Sequence, residues 1–145
     1  MDRLPHAIEL YRTYQLVLLA EVYGKAGQAD EGLRVLRQAR AAVHNTEGRF
    51  YEAELSRLQG ELTLVRAAGQ QAEADACFQQ ALDIARRQEA KSLELRAAMS
   101  LSRLWQQQGK REEAQQLLAG VYGWFTEGFD TPDLQETQAL LAVLQ

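Results

Sequence analysis

Three short segments of this chain align with one another and constrain everything else in it: Tyr23-Gly24-Lys25-Ala26-Gly27, Val65-Arg66-Ala67-Ala68-Gly69 and Trp105-Gln106-Gln107-Gln108-Gly109. Each puts a large apolar residue four places before a glycine. Nine residues after that large residue comes a small one, Gly32, Ala74 or Ala114. Four further on stands Leu36, Phe78 or Leu118, and three beyond that Ala39, Ala81 or Val121. The glycine reads as a helix end, where a left-handed residue is wanted and a Cβ is a penalty. A second helix that starts within a few residues must fold back antiparallel on the first. The small residue early in that second helix lets the two backbones approach, and the large one a turn later fills the gap beyond.

Repetition of this kind specifies stacked helical hairpins, none of which buries its apolar face alone. The glycines are 42 residues apart from 27 to 69 and 40 apart from 69 to 109. Long helices fit that spacing. Leu55, Leu58, Leu62 and Val65 recur at three- and four-residue steps, and Leu93, Ala97, Met99, Leu101, Leu104 and Trp105 form a broader apolar face. The pattern predicts seven helices, at about 5–25, 29–45, 47–68, 71–88, 90–108, 110–126 and 131–144, all in a single domain spanning 1–145. The first six pair as hairpins over about 5–45, 47–88 and 90–126. The seventh opens with Thr131 as a candidate N-cap, Pro132 at the first helical position and Asp133 complementing the helix dipole. It has no hairpin partner, so it reads as a cap on the open end of the stack. The first helix has no preceding helix to cover it. Either the chain belongs to something longer, or that end packs on something.

Charge and cysteine content narrow the function. A net charge of −4 and a pI near 5.2 lack the basic footprint of a nucleic-acid binder. The longest apolar run, Ala139 to Leu144, falls far short of the ~20 residues that span a bilayer, and no secretory signal is visible. The one cysteine, Cys77, forms no internal disulfide and suits a reducing cytoplasm. It reads as a small buried hydrophobe. His6 and His44 stand apart from each other and from Cys77, which leaves no metal-ligand spacing. Glu112 and Glu113 point ~100° apart on a helix, so they are not a catalytic pair and instead complement a helix N-terminus. The expectation is a chain with no catalytic residue, no cofactor and no metal.

The pattern resembles the tetratricopeptide (TPR) consensus over about Leu16 to Phe125. Leu19-Ala20-x-x-Tyr23 stands where that family has Leu-Gly-x-x-Tyr, and Ala74-x-x-x-Phe78 matches its Ala-x-x-x-Phe. The spacing exceeds the family's usual repeat of about 34 residues, and the closing proline is missing. Three further stretches, Ala20 to Gly27, Glu52 to Leu62 and Tyr122 to Thr131, resemble the C-terminal TPR region of bacterial signalling proteins, in which a nucleotide cyclase or transcription-regulator domain and an ATPase domain come first. No phosphate-binding Gly-x-x-x-x-Gly-Lys-[Ser/Thr] loop is present here, so neither activity carries over. The resemblance implies an all-α, right-handed superhelical stack of three elongated TPR-like hairpins with a C-terminal capping helix. It also implies a protein-binding scaffold within a signalling protein.

In such arrays the first helix of each hairpin lines the concave face. Carried onto this chain, the groove positions are Tyr14, Val17 and Glu21, then Gln59, Thr63 and Arg66, then Arg96, Met99, Arg103 and Gln106. Arg66, Arg96 and Arg103 would suit an acidic peptide or a terminal carboxylate. The competing reading makes them ordinary solvated helix charges. The Lys and Asn pair of the chaperone-tail clamp is absent, with Val17 and Glu21 in its place. The aromatics Trp105, Tyr122, Trp124, Phe125 and Phe129 read as the seat of the last helix, with Phe129 the one most exposed. The run Arg86-Arg87-Gln88-Glu89-Ala90-Lys91 reads as a solvated helix end and turn. The partner expected in the groove is a protein or peptide. The alternative is self-association, or docking of an intramolecular regulatory kind, through the uncovered first helix.

Overall fold

The computed structural model describes the backbone of residues 3–43 and 48–145, and the side chains of 11–43 and 49–145. Among the described residues it holds seven α-helices and no strand. They are α1 (Arg3–Lys25), α2 (Ala29–Ala41), α3 (Glu52–Arg66), α4 (Gln71–Arg87), α5 (Lys91–Gln107), α6 (Arg111–Tyr122) and α7 (Pro132–Leu144), with a 3-10 turn (Gly48–Tyr51) leading into α3. None is long and apolar enough to cross a membrane.

The helices pack as three consecutive pairs, α1 with α2, α3 with α4 and α5 with α6, and α7 leans on α5 and α6. The contacts between pairs are uneven. Between pairs α2 packs on α3 and α4 on α5, and the odd-numbered helices touch in succession, α1 to α3 to α5 to α7, whereas among the described residues the backbones of α2 and α4, and of α4 and α6, do not come as close.

The aligned positions do the packing. Gly32, Ala74 and Ala114, Leu36, Phe78 and Leu118, and Ala39, Ala81 and Val121 are all buried. Small residues sit where backbones come closest. A Cβ on Gly32 would come within 3.3 Å of the Ala20 carbonyl oxygen, and the buried Ser102 hydroxyl donates to the Ala114 carbonyl at 3.2 Å. A Cβ on Gly60 would lie 2.5 Å from the Phe78 ring, so that glycine is required for the ring to pack this closely on α3.

Helix ends depart from expectation in one pair. Gly27 and Gly109 take left-handed φ values of 75° and 80°, and each closes a bond from the following amide back to the helix: Gln28 to the Tyr23 carbonyl at 2.9 Å, Lys110 to Trp105 at 2.8 Å. Gly69 does not take that role. α3 stops at Arg66 because Ala67 is extended, at φ −153° and ψ 106°, and a four-residue connection follows instead of three. The left-handed residue at the turn into α5 is Glu89, at φ 55°.

That longer connection has a consequence for the register of α3. Gly60 precedes Phe78 by 18 positions, whereas Ala20 precedes Leu36, and Ser102 precedes Leu118, by 16. The middle pair therefore carries two extra residues between its packing positions, one at the end of α3 and one in the connection. Counting back from Gly69 rotates every α3 residue by two positions, about 200° around a helix. Val65 is accordingly 47% exposed, and the buried Thr63 stands where Tyr23 and Trp105 do.

Other ends are shorter than the periodicity predicts. α6 closes at Tyr122 in tight turns, with the Trp124 amide on the Val121 carbonyl and that of Phe125 on Tyr122. Thr131 occupies the N-cap position of α7 in extended conformation. Its hydroxyl, however, donates back to the Gly128 carbonyl at 2.7 Å and does not cap the helix. Acidic residues in the first turns of α2 to α7 offset the missing side-chain caps.

Candidate functional site

The succession α1, α3, α5, α7 builds one face whose middle is a charged groove. Two adjoining hollows of about 270 and about 310 Å³ share Glu21, Lys25, Arg57 and Arg103 as walls. The first continues over Glu61 and Val65, the second over Arg96, Met99, Asp133 and Glu136. Glu21, Glu61 and Arg103 are equivalent positions on α1, α3 and α5 once the register of α3 is set by Gly60. Val17, Arg57 and Met99 are likewise equivalent.

Beneath the groove lies a buried carboxylate. Glu54 is 5% exposed and receives two bonds from Arg57, Nε to Oε1 at 2.9 Å and Nη2 to Oε2 at 3.1 Å. A third comes from Arg96 Nη1 at 2.9 Å, and Arg96 Nε reaches Asp133 on α7 at 2.9 Å. Arg57 also approaches Ser100 at 3.4 Å. Three helices are thereby joined through charge-assisted bonds. Burial pushes the Glu54 carboxyl up, but the bond and charge of Arg57 and the charge of Arg96 more than offset this and hold it below the usual range. Burial draws the Arg57 guanidinium down, and Glu54 more than restores it; Arg96 is likewise held up by Glu54 and Asp133.

Of the ten residues expected in the groove, the structure brings Glu21, Arg96, Met99 and Arg103 together there. Arg96 is committed on both sides to Glu54 and Asp133, so it braces the floor. Arg103 is exposed and meets Glu136 at 3.5 Å. Met99 is buried at the groove's base. The three α3 residues fall elsewhere, as the two-position rotation requires. Gln59 turns to α2, where its Oε1 accepts from Arg40 at 2.8 Å. Thr63 is buried with its hydroxyl on the Gln59 carbonyl at 2.7 Å, and Arg66 reaches only Gln70 at 3.3 Å. In their place Arg57 and Glu61 face the groove. Val17 is buried in the core between α1 and α2, Tyr14 lies near Tyr51 with ring centroids 6.5 Å apart, and Gln106 lines neither hollow.

Counting from the loop glycines passed over Lys25, Glu54, Arg57, Glu61, Asp133 and Glu136. One signal for the α3 residues was present in the sequence. A glycine inside a run of good helix formers marks a close backbone approach, and Gly60 is such a residue.

The remaining candidates resolve into structural roles. Trp105 donates from Nε1 to Asp75 at 2.8 Å across α4 and α5. Tyr122 and Phe125 pack partly buried under α7, and Phe129 is exposed as expected. Trp124 departs from the core reading, being 58% exposed beneath the Lys91 ammonium at 5.4 Å. Arg86 and Lys91, expected to be solvated, each reach the buried Glu94 at 3.1 Å. Cys77 is half-buried, and burial raises its thiol above the ordinary value. The side chains of His6 and His44 lie outside the described residues. Comparison with known protein families, curated proteins and solved structures yields no match.

Proposed function

We propose that this chain is a non-catalytic scaffold that binds a peptide or helix of a partner protein along the face made by α1, α3, α5 and α7. The observation that carries the reading is the succession of contacts. Odd helices come closer to their successors than even ones do, and a stack packed tighter on one side curves toward that side. The groove then lies on the inner surface of a TPR-like superhelix, the arrangement that the residue pattern resembles. Its walls supply both signs of charge: Lys25 and Arg103 against Glu21, Glu61 and Glu136. The Glu54–Arg57–Arg96–Asp133 network holds the floor in one geometry, so little side-chain entropy remains to be lost on binding. The same resemblance supports a module of a bacterial signalling protein, and the single cysteine, Cys77, suits a reducing cytoplasm.

The test is affinity capture from host lysate with the parent chain and a Lys25→Glu, Arg103→Glu variant. Both positions are exposed, and neither contacts Glu54. Circular dichroism checks that the two proteins share the same helix content. The expected result is a protein retained by the parent and lost by the variant. Identical capture by both would sink the groove reading.

A further inference from the structure

Charges along the groove are balanced in pairs, with one exception. Glu21 on α1 has Lys25 at 3.6 Å, and Arg103 on α5 has Glu136 at 3.5 Å. Arg57 and Arg96 close on Glu54 and Asp133 beneath them. Glu61 on α3, half-buried in the wall of the first hollow, has no hydrogen bond or ion pair among the described residues. Arg57 is near enough for the charge of Glu61 to help hold its guanidinium up, yet it donates to Glu54 and Ser100 instead. One turn further along α3 stands Val65, 47% exposed, and the buried Leu58 and Leu62 line the same hollow. An apolar wall thus leads to a single carboxylate without a counter-charge. At about 270 Å³ the hollow falls below the roughly 300 Å³ at which pockets for whole small molecules begin, which leaves room for one long side chain.

A segment laid across α1, α3 and α5 takes water from whatever it covers. The paired charges keep their partners when this happens. Glu61 has none to keep, and a carboxylate that loses water without gaining a counter-charge is strongly disfavoured. An acidic side chain in the hollow would add a second negative charge beside it. We propose, resting on the groove reading, that the bound segment carries a basic residue, arginine or lysine, whose stem lies on Val65 and whose charged head meets the Glu61 carboxylate. A long basic side chain suits such a place, because its methylenes cover apolar surface while its head stays among polar groups. Lys25 on α1 and Arg103 on α5 stand to either side of Glu61 in the succession of helices. Acidic residues flanking the basic one therefore complete the match, and a segment of the reverse pattern is rejected.

The probe is a displayed library of random peptides, selected on the parent chain. Loss of binding to the Lys25→Glu, Arg103→Glu variant marks the peptides that use the groove. The expected result is a basic residue common to those peptides. In titration calorimetry, replacing that residue by glutamine weakens binding to the parent about tenfold, and Glu61→Gln weakens the unaltered peptide by as much. The two changes together weaken it little more than either alone, as a direct contact requires. Glu61→Arg reverses the preference, so that a glutamate in place of the basic residue binds better than the original. Glu61 bonds to none of the described residues, so both variants keep the parent's helix content, which circular dichroism checks. Groove-dependent peptides with no shared basic residue overturn the proposal and leave the groove reading standing, and so does an additive loss in the double change. Peptides indifferent to Lys25→Glu with Arg103→Glu, or a library that yields no binder, sink both readings. Sedimentation of the parent chain showing a concentration-dependent mass that Glu61→Arg abolishes also overturns the proposal, since the basic group would then come from a second copy.

Discussion

α1 and α7 stand at opposite ends of the same succession of helices, yet they treat solvent in opposite ways. α7 turns Leu134, Thr137 and Leu144 inward and presents Gln135, Glu136, Gln138, Ala139 and Val143 outward. α1 buries Thr13, Val17 and Ala20 and leaves Tyr11, Tyr14, Leu18, Leu19 and Val22 exposed. α7 is also fastened by charge. Arg96 and Arg103 on α5 meet its Asp133 and Glu136, and Arg111 at the start of α6 gathers the Val143, Leu144 and Gln145 carbonyls at its far end. Away from its packed side α7 leaves one large apolar side chain exposed, whereas α1 leaves a row of them. A helix with apolar residues on opposite sides is built to lie between neighbours.

This contrast breaks most readily at the network that fastens one end only. Glu54→Gln should cost roughly 3 kcal/mol in chemical denaturation, because Arg57 is left buried without its counter-charge and Arg96 loses half its bonding. The same carboxylate predicts the acid limb of the stability curve. A group whose folded pKa lies below its ordinary value of 4.5 stabilises the fold above that value, and the contribution is lost as pH falls through the lowered folded value. The parent should therefore lose stability in acid with a steeper dependence than Glu54→Gln. Equal slopes would mean that the network contributes little.

Leu134→Ala should cost about 2–3 kcal/mol, since it empties a site packed beneath α7. Amide exchange should quicken through α7 while α3 and α4 keep their protection. Arg111→Ala should cost roughly 1–2 kcal/mol and act more locally, by freeing the last carbonyls of α7. Exchange confined to the final turn of α7 is the signature, and a uniform loss across the molecule would contradict it. Smallest of all, Val22→Ser should shift stability by no more than ~0.5 kcal/mol, because the side chain already faces water. A cost near that of Leu134→Ala would show that the α1 face is covered after all.

Much of the helical framework was legible from periodicity. Gly27 and Gly109 marked real helix ends, and the three aligned positions of the second helices proved to be core. The groove was legible only in part. Glu21, Arg96, Met99 and Arg103 come together because α1 and α5 are followed by three-residue connections of the same form. Gln59, Thr63 and Arg66 miss because Ala67 ends α3 in an extended conformation, and a loop glycine two residues out of step looks the same in the sequence. Arg57 and Glu61 were hidden by that shift. Glu54 was hidden for a different reason: it reads as one more surface acid until two arginines, three and 42 residues away, are brought onto it.

Local sequence by itself determined which segments are helical, where small residues admit a neighbour and which faces are apolar. Those properties depend on residues within a turn or two of each other, where helix geometry is fixed in advance. Only the tertiary structure decided which apolar face meets a partner and which charges are buried. Both depend on the rotation of α3 relative to α1 and α5, and two extra residues, one at the end of α3 and one in the connection after it, set that rotation. Tyr11, Leu18 and Val22 are chemically like the stripe of α3, and what distinguishes them is that no described residue packs over them.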